Sequence, residues 1–347
     1  MHIFNYEFLQ DMLLPASVVN LAGNIGALRV LANERKQRNT DIFQHLEEIA
    51  KIDSIKASNA LEGIVTTERR LQEIARGGLP QNHTEAEIAG YRDVLNEIHL
   101  NWRLHDFRES DIQLFHRQMM SLARPDSNGT YKTDDNVIAE KLSDGRRVVR
   151  FVPVSAIETP EAMRQLVLAY QVARDNSAIN HLLLIPCVIL DFLCIHPFAD
   201  GNGRISRLLS LLLLYKNGYD AGKYISFENQ INGNKMAYYQ ALKDSSENWH
   251  DNVCRYLPFM LNFIQTLYAC YAELDKRFAV VNASRITKKG RIEATILNSL
   301  TPLSKAEICH ILPDVSPTTV EAVLGEMVRS HRIMLVGKGR NTRYLRS

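Results

Sequence analysis

The stretch HPFADGNGRISR, from His196 to Arg207, constrains the fold of this chain more than any other segment. It lies between two strongly apolar runs, LLLIPCVILDFLCI before it and LLSLLLLY after it, so the pattern predicts a helix, a loop and a second helix in one buried core. Gly201 and Gly203 allow a tight turn and a close approach of the backbone to a ligand. Because free N–H groups at the start of a helix attract anions, the loop predicts a phosphate-binding site.

The polar side chains of this stretch suit the chemistry of phosphate esters. Arg204 and Arg207, three residues apart on the first helical turn, are spaced to bind phosphate oxygens through their planar guanidinium groups. Asp200 is an oxygen ligand suited to Mg²⁺, and His196 has an ordinary pKa that lets it accept a proton near neutral pH. These residues predict phosphoryl or nucleotidyl transfer to a hydroxyl that His196 deprotonates. The alternative is a glycine-rich connector with two surface arginines and a helix-capping aspartate, which a shorter match would favour.

The whole stretch resembles the signature of the Fic family, HxFx(D/E)GNGRxxR, without a departure at any fixed position. The resemblance implies a mainly helical core that uses ATP with Mg²⁺ or Mn²⁺ and transfers AMP to a Ser, Thr or Tyr of a target protein or of itself. It implies that His196 activates the target hydroxyl, that Asp200 holds the metal and that Phe198 faces the core. The ATP-binding residues that it implies here are Gly201, Asn202, Gly203, Arg204 and Arg207. Transfer of another phosphate-containing group and removal of AMP are alternatives within the family, and a homodimer is a further expectation.

Residues 129 to 154 predict a β-hairpin within this helical protein. Two β-prone runs, NVIAEKL and VVRFVPV, surround an Asp144-Gly145 turn. The hairpin is similar to the family's flap, which aligns the target segment by strand addition, and the candidate flap residues are Asn136, Val137 and Ile138. The entry to the hairpin has Lys132 where the family pattern has arginine, and a purely structural hairpin is the alternative.

Two further segments resemble family motifs. The segment KMAYYQAL contains Tyr238 and Tyr239, similar to the paired tyrosines that flank the base and ribose of the nucleotide; by helical geometry only one of two adjacent side chains has to face the site. Trp249, further along, is expected to be a packing residue.

An inhibitory motif is the second such segment. Residues Ser58 to Gly63, SNALEG, match (S/T)xxxE(G/N); the four-residue spacing puts Ser58 and Glu62 on one helix face, and Gly63 is a natural helix terminator. The resemblance implies that Glu62 pairs with Arg207 and keeps the γ-phosphate out. Without the resemblance, Glu62 is an ordinary exposed residue at a helix end.

The chain is predicted to contain three parts: an N-terminal helical segment (1–80), a helical catalytic core (81–280) and a C-terminal winged helix-turn-helix (285–347). The N-terminal pattern is helical from about 16 to 76, Thr84 is the predicted cap of the next helix, and loops are predicted at 196–203 and 217–234. The C-terminal part has 11 basic and 5 acidic residues, a net charge of 11 − 5 = +6, whereas the rest has 30 − 34 = −4.

The C-terminal part raises a second function, a DNA-binding regulator with a nucleotide-sensing core. Residues 317–331 would enter the major groove, and Lys338, Arg340 and Arg343 would contact phosphate. A protein-docking module is the alternative, since Glu321 and Glu326 are unusual on a groove-reading helix.

Composition narrows the remaining possibilities. The 41 basic and 39 acidic residues nearly balance, which argues against a protein that mainly coats nucleic acid. The five cysteines are scattered without a CxxC spacing, so neither a disulfide framework nor a zinc site is expected. No secretory signal or membrane-length apolar run is found, and the expected location is the cytoplasm.

Overall fold

The computed structural model describes residues 2–124, 129–141, 146–282, 287–297, 299, 302–312, 315–337, 339 and 342–346. The helices described are α1 (Ala16–Arg38), α2 (Thr40–Leu61), α3 (Glu68–Ala75), α4 (His83–Asn101), α5 (Glu109–Met120), α6 (Thr159–Asp175), α7 (His181–Ile195), α8 (Asn202–Lys216), α9 (Phe227–Gly233), α10 (Lys235–Ser246), α11 (Leu257–Asn282), α12 (Lys288–Leu297), α13 (Lys305–Ile311) and α14 (Pro317–Arg329). The strands are β1 (Ile138–Lys141), β2 (Arg147–Phe151), β3 (Leu303–Ser304), β4 (Ile333–Val336) and β5 (Arg343–Arg346). The mainly helical class predicted from the sequence is confirmed.

The apolar helices α7 and α8 form the centre of the main core. Helix α7 is apolar around nearly its whole circumference and almost completely buried, as expected for a helix enclosed on all sides. It packs against α6, α8, α10 and α11, while α8 also contacts α4 and α5. The loop from His196 to Gly201 that joins α7 to α8 is therefore held between two immobilised helix ends.

Helices α4 and α5 approach each other at backbone contact distance. A Cβ atom placed on Gly90 would lie 1.9 Å from the carbonyl oxygen of Met119, so only glycine fits there. The start of α4 corrects one prediction: the helix begins before Thr84, and Asn82 is the cap, with its side chain accepting a hydrogen bond from Glu85 N–H at 2.9 Å. Both Asn and Thr are good caps, and the structure uses the earlier one.

The N-terminal helices wrap around this core. Helix α1 packs on α11, and α2 packs on α9 and α4. Helix α2 ends at Leu61, and Gly63 then takes the left-handed conformation at φ 77°, the usual conformation of a residue that terminates a helix. Helix α1 begins at Ala16, as the pattern predicts, and residues before it also contact the core: the Tyr6 hydroxyl donates to buried Asp191 at 2.7 Å.

The loop predicted at 217–234 is partly helical. It contains a short 3₁₀ turn, Ala221–Lys223, and helix α9, which is capped by the side chain of Ser226. Apolar periodicity is hard to detect over so few residues, and for this reason the pattern did not indicate a helix.

Strands β1 and β2 form the antiparallel hairpin expected between α5 and α6. Ala139 pairs with Val149, and the register shifts between Ile138 and Ala139, as at a β-bulge. The Asp144-Gly145 turn lies outside the described residues.

The C-terminal unit, residues 288–346, has a hydrophobic cluster of its own. It consists of α12, α13, α14 and a three-stranded sheet in the order β3-β5-β4. Helix α13 contacts α2, and α12 contacts α11. Among the described residues, no helix combines the length and the apolar character that crossing a membrane requires.

Candidate functional site

His196 occupies a constrained position at the end of α7. Its backbone is left-handed, at φ 52° and ψ 60°, and its N–H donates to the Phe192 carbonyl at 2.9 Å. The ring Nδ1 lies 3.3 Å from the Leu193 carbonyl oxygen; since a carbonyl only accepts, Nδ1 carries the proton and Nε2 is left with a free lone pair. Burial lowers the pKa of His196 to about 4, although the Leu193 carbonyl opposes this shift. The imidazole is therefore neutral and basic at Nε2 near pH 7.

The side chain of Asn202 closes the loop after His196. Its Nδ2 donates to the Phe198 carbonyl at 2.7 Å, and its Oδ1 accepts from the Phe198 N–H at 2.9 Å. Next to it, Gly201 has φ 82°, and a Cβ atom there would lie 2.7 Å from Met119 Cε. The side-chain amide of Asn202 thus fixes the shape of the loop. The backbone N–H of Asn202, at the start of α8, is in a position typical of anion binding.

His116 of α5 packs against the loop and supports it. The sequence alone did not indicate this residue. Its ring stacks on buried Phe198 with centroids 3.8 Å apart and an angle of 5° between the planes. Nε2 donates to the Asp200 carbonyl, and Nδ1 accepts from Gly129 N–H, both at 3.1 Å. Burial lowers the pKa of His116 to about 4, so the ring is neutral. A histidine on the buried face of an amphipathic helix was the only signal in the sequence.

Arg204 is buried at the first turn of α8, with a relative exposure of 1%. Its Nη2 lies 2.7 Å from Glu87 Oε2 of α4, while Nε and Nη1 are buried and have no hydrogen-bond partner among the described residues. Unpartnered buried N–H groups are rare and usually mark a place where a ligand or water binds.

Arg207 lies one turn further along α8 and is bound by Ser58 and Glu62. Its Nη2 is 2.7 Å from Glu62 Oε1 and 3.0 Å from the Ser58 carbonyl oxygen, and its Nε donates to Ser58 Oγ at 2.9 Å. A Cβ atom on Gly203 would lie only 2.3 Å from Glu62 Oε1. The Glu62 carboxylate therefore lies directly over the backbone of the glycine loop, beside the start of α8.

An open cleft contains His196 and the Glu62–Arg207 pair, whereas Arg204 is not among the described residues that line it. Its lining includes Glu62, Ile138, Arg150, Phe151, His196, Asp200, Gly203, Arg207, Tyr238 and Tyr239. Both tyrosines of the pair line the cleft: Tyr238 is buried, and the Tyr239 hydroxyl donates to the Leu61 carbonyl at 3.2 Å.

The candidate flap residues have three different environments. Ile138 lines the cleft, Asn136 Nδ2 donates to the Phe198 carbonyl at 3.4 Å, and Val137 is exposed. Arg150 and Phe151 of β2 also line the cleft. The sequence did not indicate them, because the register of a hairpin cannot be read from its strands alone.

Asp200 fits the role of a carboxylate ligand to a metal that accompanies a nucleotide. Its side chain is 40% exposed; Oδ1 accepts from Gly201 N–H at 2.6 Å, and Oδ2 is 3.1 Å from Arg124 Nη2. Mg²⁺ is commonly held by one or two carboxylates together with substrate phosphates and water, so one carboxylate beside a phosphate-binding loop suits it.

Comparisons with known proteins agree with this geometry. A model of the Fic/DOC family matches residues 106–214. A Fido domain-containing protein of Dictyostelium discoideum is 32% identical over 124 residues, which are 35% of this chain and 80% of that protein. Among solved structures, a Fic family protein from Desulfovibrio desulfuricans has a TM-score of 0.64 at 20% identity and 97% coverage of both chains. A Fic domain containing signaling protein from Bacteroides thetaiotaomicron has a TM-score of 0.57 at 24% identity, covering 75% of this chain and 97% of that one.

The helical core with a glycine loop between α7 and α8 is thus a Fic fold. The chain belongs to the Fic/DOC family, a family of nucleotidyl and AMP transferases. The resemblance predicted from the signature is confirmed at this level.

The structure gives little information about the residues predicted to contact DNA. Lys338 and Arg340 lie outside the described residues, and Arg343 Nη1 donates to the Pro302 carbonyl and to Glu307. On α14, Glu321 pairs with Lys305. DNA binding and the winged-helix assignment stay predictions.

Proposed function

We propose that this protein transfers AMP from ATP to a Ser, Thr or Tyr hydroxyl of a protein target, which includes itself, and that Glu62 inhibits the transfer. The observation that carries the proposal is the Glu62–Arg207 ion pair in the same cleft as a neutral, basic His196.

The phosphate chain would be bound by groups that the protein leaves available. Gly201, Asn202 and Gly203, at the start of α8, line the cleft, and Arg204 behind them has two buried nitrogens without partners among the described residues. Arg207, once free of Glu62, adds a second guanidinium group to the phosphate-binding region. Asp200 would hold Mg²⁺ or Mn²⁺, which neutralises phosphate charge when bound.

The chemical step would use the Nε2 lone pair of His196. The target hydroxyl oxygen forms a bond to the α-phosphorus, the bond from that phosphorus to the pyrophosphate oxygen breaks, and the hydroxyl proton moves to His196 Nε2. The Leu193 carbonyl, 3.3 Å from Nδ1, keeps the ring in the required tautomer. Pyrophosphate leaves with the electron pair of the broken bond.

Inhibition would be a competition between two anions for one cation. Arg207 is 3% exposed, and two of its nitrogens are bound by Ser58 and Glu62. A γ-phosphate needs the same guanidinium group and the space over Gly203, where the Glu62 carboxylate lies. ATP therefore binds in a productive pose only after Glu62 moves away.

The proposal is tested by transfer of α-labelled ATP onto the purified protein and onto cell lysate. Glu62→Gly should raise labelling by about tenfold or more, because it removes both the charge-assisted bond to Arg207 and the side chain over Gly203; Glu62→Gln removes only the charge and should raise labelling less. The glutamine variant is the matched control for helix packing. Adding His196→Ala should remove the label. Absence of label from every variant, with either metal present, would refute AMP transfer, and equal labelling with and without Glu62 would refute the inhibition.

A further inference from the structure

Lys132 connects the entry of the flap to the catalytic loop. Its backbone N–H donates to the Pro197 carbonyl at 2.9 Å, and its Nζ donates to the Ile195 carbonyl at 3.2 Å. Lys132 thus contacts the residues on both sides of His196, one through its backbone and the other through its side chain. The Nζ also donates to Asn136 Oδ1 at 2.9 Å, and Asn136 in turn contacts the Phe198 carbonyl.

The Lys132 ammonium is buried and has no ion-pair partner among the residues that the structure describes. The residue is 5% exposed, and neither of its Nζ acceptors is a carboxylate. Burial lowers the pKa of Lys132 to about 8, and only Asp135 opposes the shift. An unpaired buried charge is costly. A neutral hydrogen-bond donor would hold the Ile195 carbonyl equally well. The positive charge at this place therefore requires an explanation.

The charged groups that face His196 come from three segments. Lys132 precedes β1 and lowers the pKa of the imidazole, whereas Glu62 after α2 and Asp200 in the loop raise it. Lys132 is the cation that offsets two carboxylates around the base.

We propose that Lys132 is a positioning residue for His196: its ammonium group fixes the left-handed loop and places a positive charge beside the imidazole. The consequence for catalysis rests on the proposed function, but the effect on His196 does not. Since Asn136 shares the Nζ, the same side chain couples the position of the flap to that of the base. Lysine at this position is where the sequence departs from its family's pattern, and the observed contacts give it a role that does not require arginine.

The test uses the full chain with Glu62→Gly and three substitutions of Lys132. Lys132→Arg keeps the charge, Lys132→Gln keeps a neutral donor, and Lys132→Met keeps neither. The first readout is the titration of the His196 C2–H signal by NMR, assigned by its loss in His196→Ala. We expect the pKa of His196 to rise by about half a unit or more in the Gln and Met variants and to stay in place with Arg.

The second readout is the pH dependence of AMP transfer. The acid limb of kcat/KM should shift upward with Gln and Met by the same amount as the NMR titration, and only Met should also lower kcat at the plateau. Lower activity in all three variants with an unchanged titration would overturn the proposal and leave Lys132 a simple brace. If Lys132→Met fails to fold, the Gln and Arg pair still decides the question. A shifted titration in a protein that transfers nothing would refute the proposed function and retain this inference.

Discussion

The catalytic core and the C-terminal unit use charged residues in different ways. In the core, Arg204 pairs with Glu87 while only 1% exposed, and Arg207 pairs with Glu62 while 3% exposed. In the C-terminal unit the pairs are at the surface, as between Lys305 and Glu321, and no charged residue that is described there is buried. Burying an ion pair is costly and often contributes nothing to stability. The core therefore carries ion pairs that stability alone does not explain, whereas the C-terminal unit keeps its charges at the surface.

Removal of one buried partner should have the largest effect. Glu87→Ala removes the closer of two carboxylates from the buried Arg204 guanidinium and leaves only Asp200, 3.9 Å away, so the free energy of unfolding in urea should fall by about 3 kcal/mol. Glu321→Ala, which removes an exposed partner, is the matched control and should not shift the urea midpoint measurably. Similar losses in the two variants would break the contrast between the core and the C-terminal unit.

A cavity in the C-terminal unit should affect stability and leave transfer intact. Leu324 is 1% exposed within the separate cluster of this unit, and Leu324→Ala should destabilise the unit by about 3 kcal/mol. The check is proteolysis of residues 288–346 alongside AMP transfer in the Glu62→Gly background. Proteolysis should become faster while the transfer rate stays within about twofold. A large fall in transfer would show that the C-terminal unit supports the site.

Acid should lower the free energy of unfolding of the core, because its buried neutral histidines resist protonation. For a single histidine this is the smallest of the three expected changes in stability. His116 has a pKa of about 4 when folded and an ordinary value of 6.5 when unfolded. The unfolded chain therefore binds a proton that the folded chain does not, and stability falls as the pH drops from 6.5 towards 4.

For His116 the expected loss across this window is about 2 kcal/mol. Urea unfolding at pH 7 and pH 5 measures it against His116→Phe, which keeps the ring on Phe198 but has no titrating group. The variant should be less stable than the wild type at pH 7, and the difference should shrink at pH 5. Parallel pH dependence in the two proteins would show that His116 is not the source.

The sequence predicted the parts of this protein that are local. The helix, loop and helix around His196 follow from apolar periodicity interrupted by glycines, and a complete signature indicated the family. The hairpin between α5 and α6 was also visible, because β-prone residues flank a turn signal. These features depend on neighbours along the chain, which a sequence displays directly.

The parts that could not be predicted depend on contacts between distant segments. Glu87 is 117 positions from Arg204, His116 supports a loop 84 positions away, and Lys132 reaches Ile195. No periodicity reports such pairs, since any acidic residue on a buried helix face would have been an equal candidate for Arg204. The prediction of the α4 cap was wrong for a different reason. Asn82 and Thr84 are both good caps, and tertiary packing determines which of them begins the helix.

The absence of a side chain at Gly203 limits which substitutions this protein can accept during evolution. The same few ångströms above its backbone accommodate the Glu62 carboxylate, and any added methyl group would lie 2.3 Å from that oxygen. If a phosphate occupies the same space, a substitution at Gly203 disturbs the brake and the substrate together. Under the proposed function, substitutions that change inhibition alone are therefore confined to the Glu62 side of this contact, directly after the end of α2.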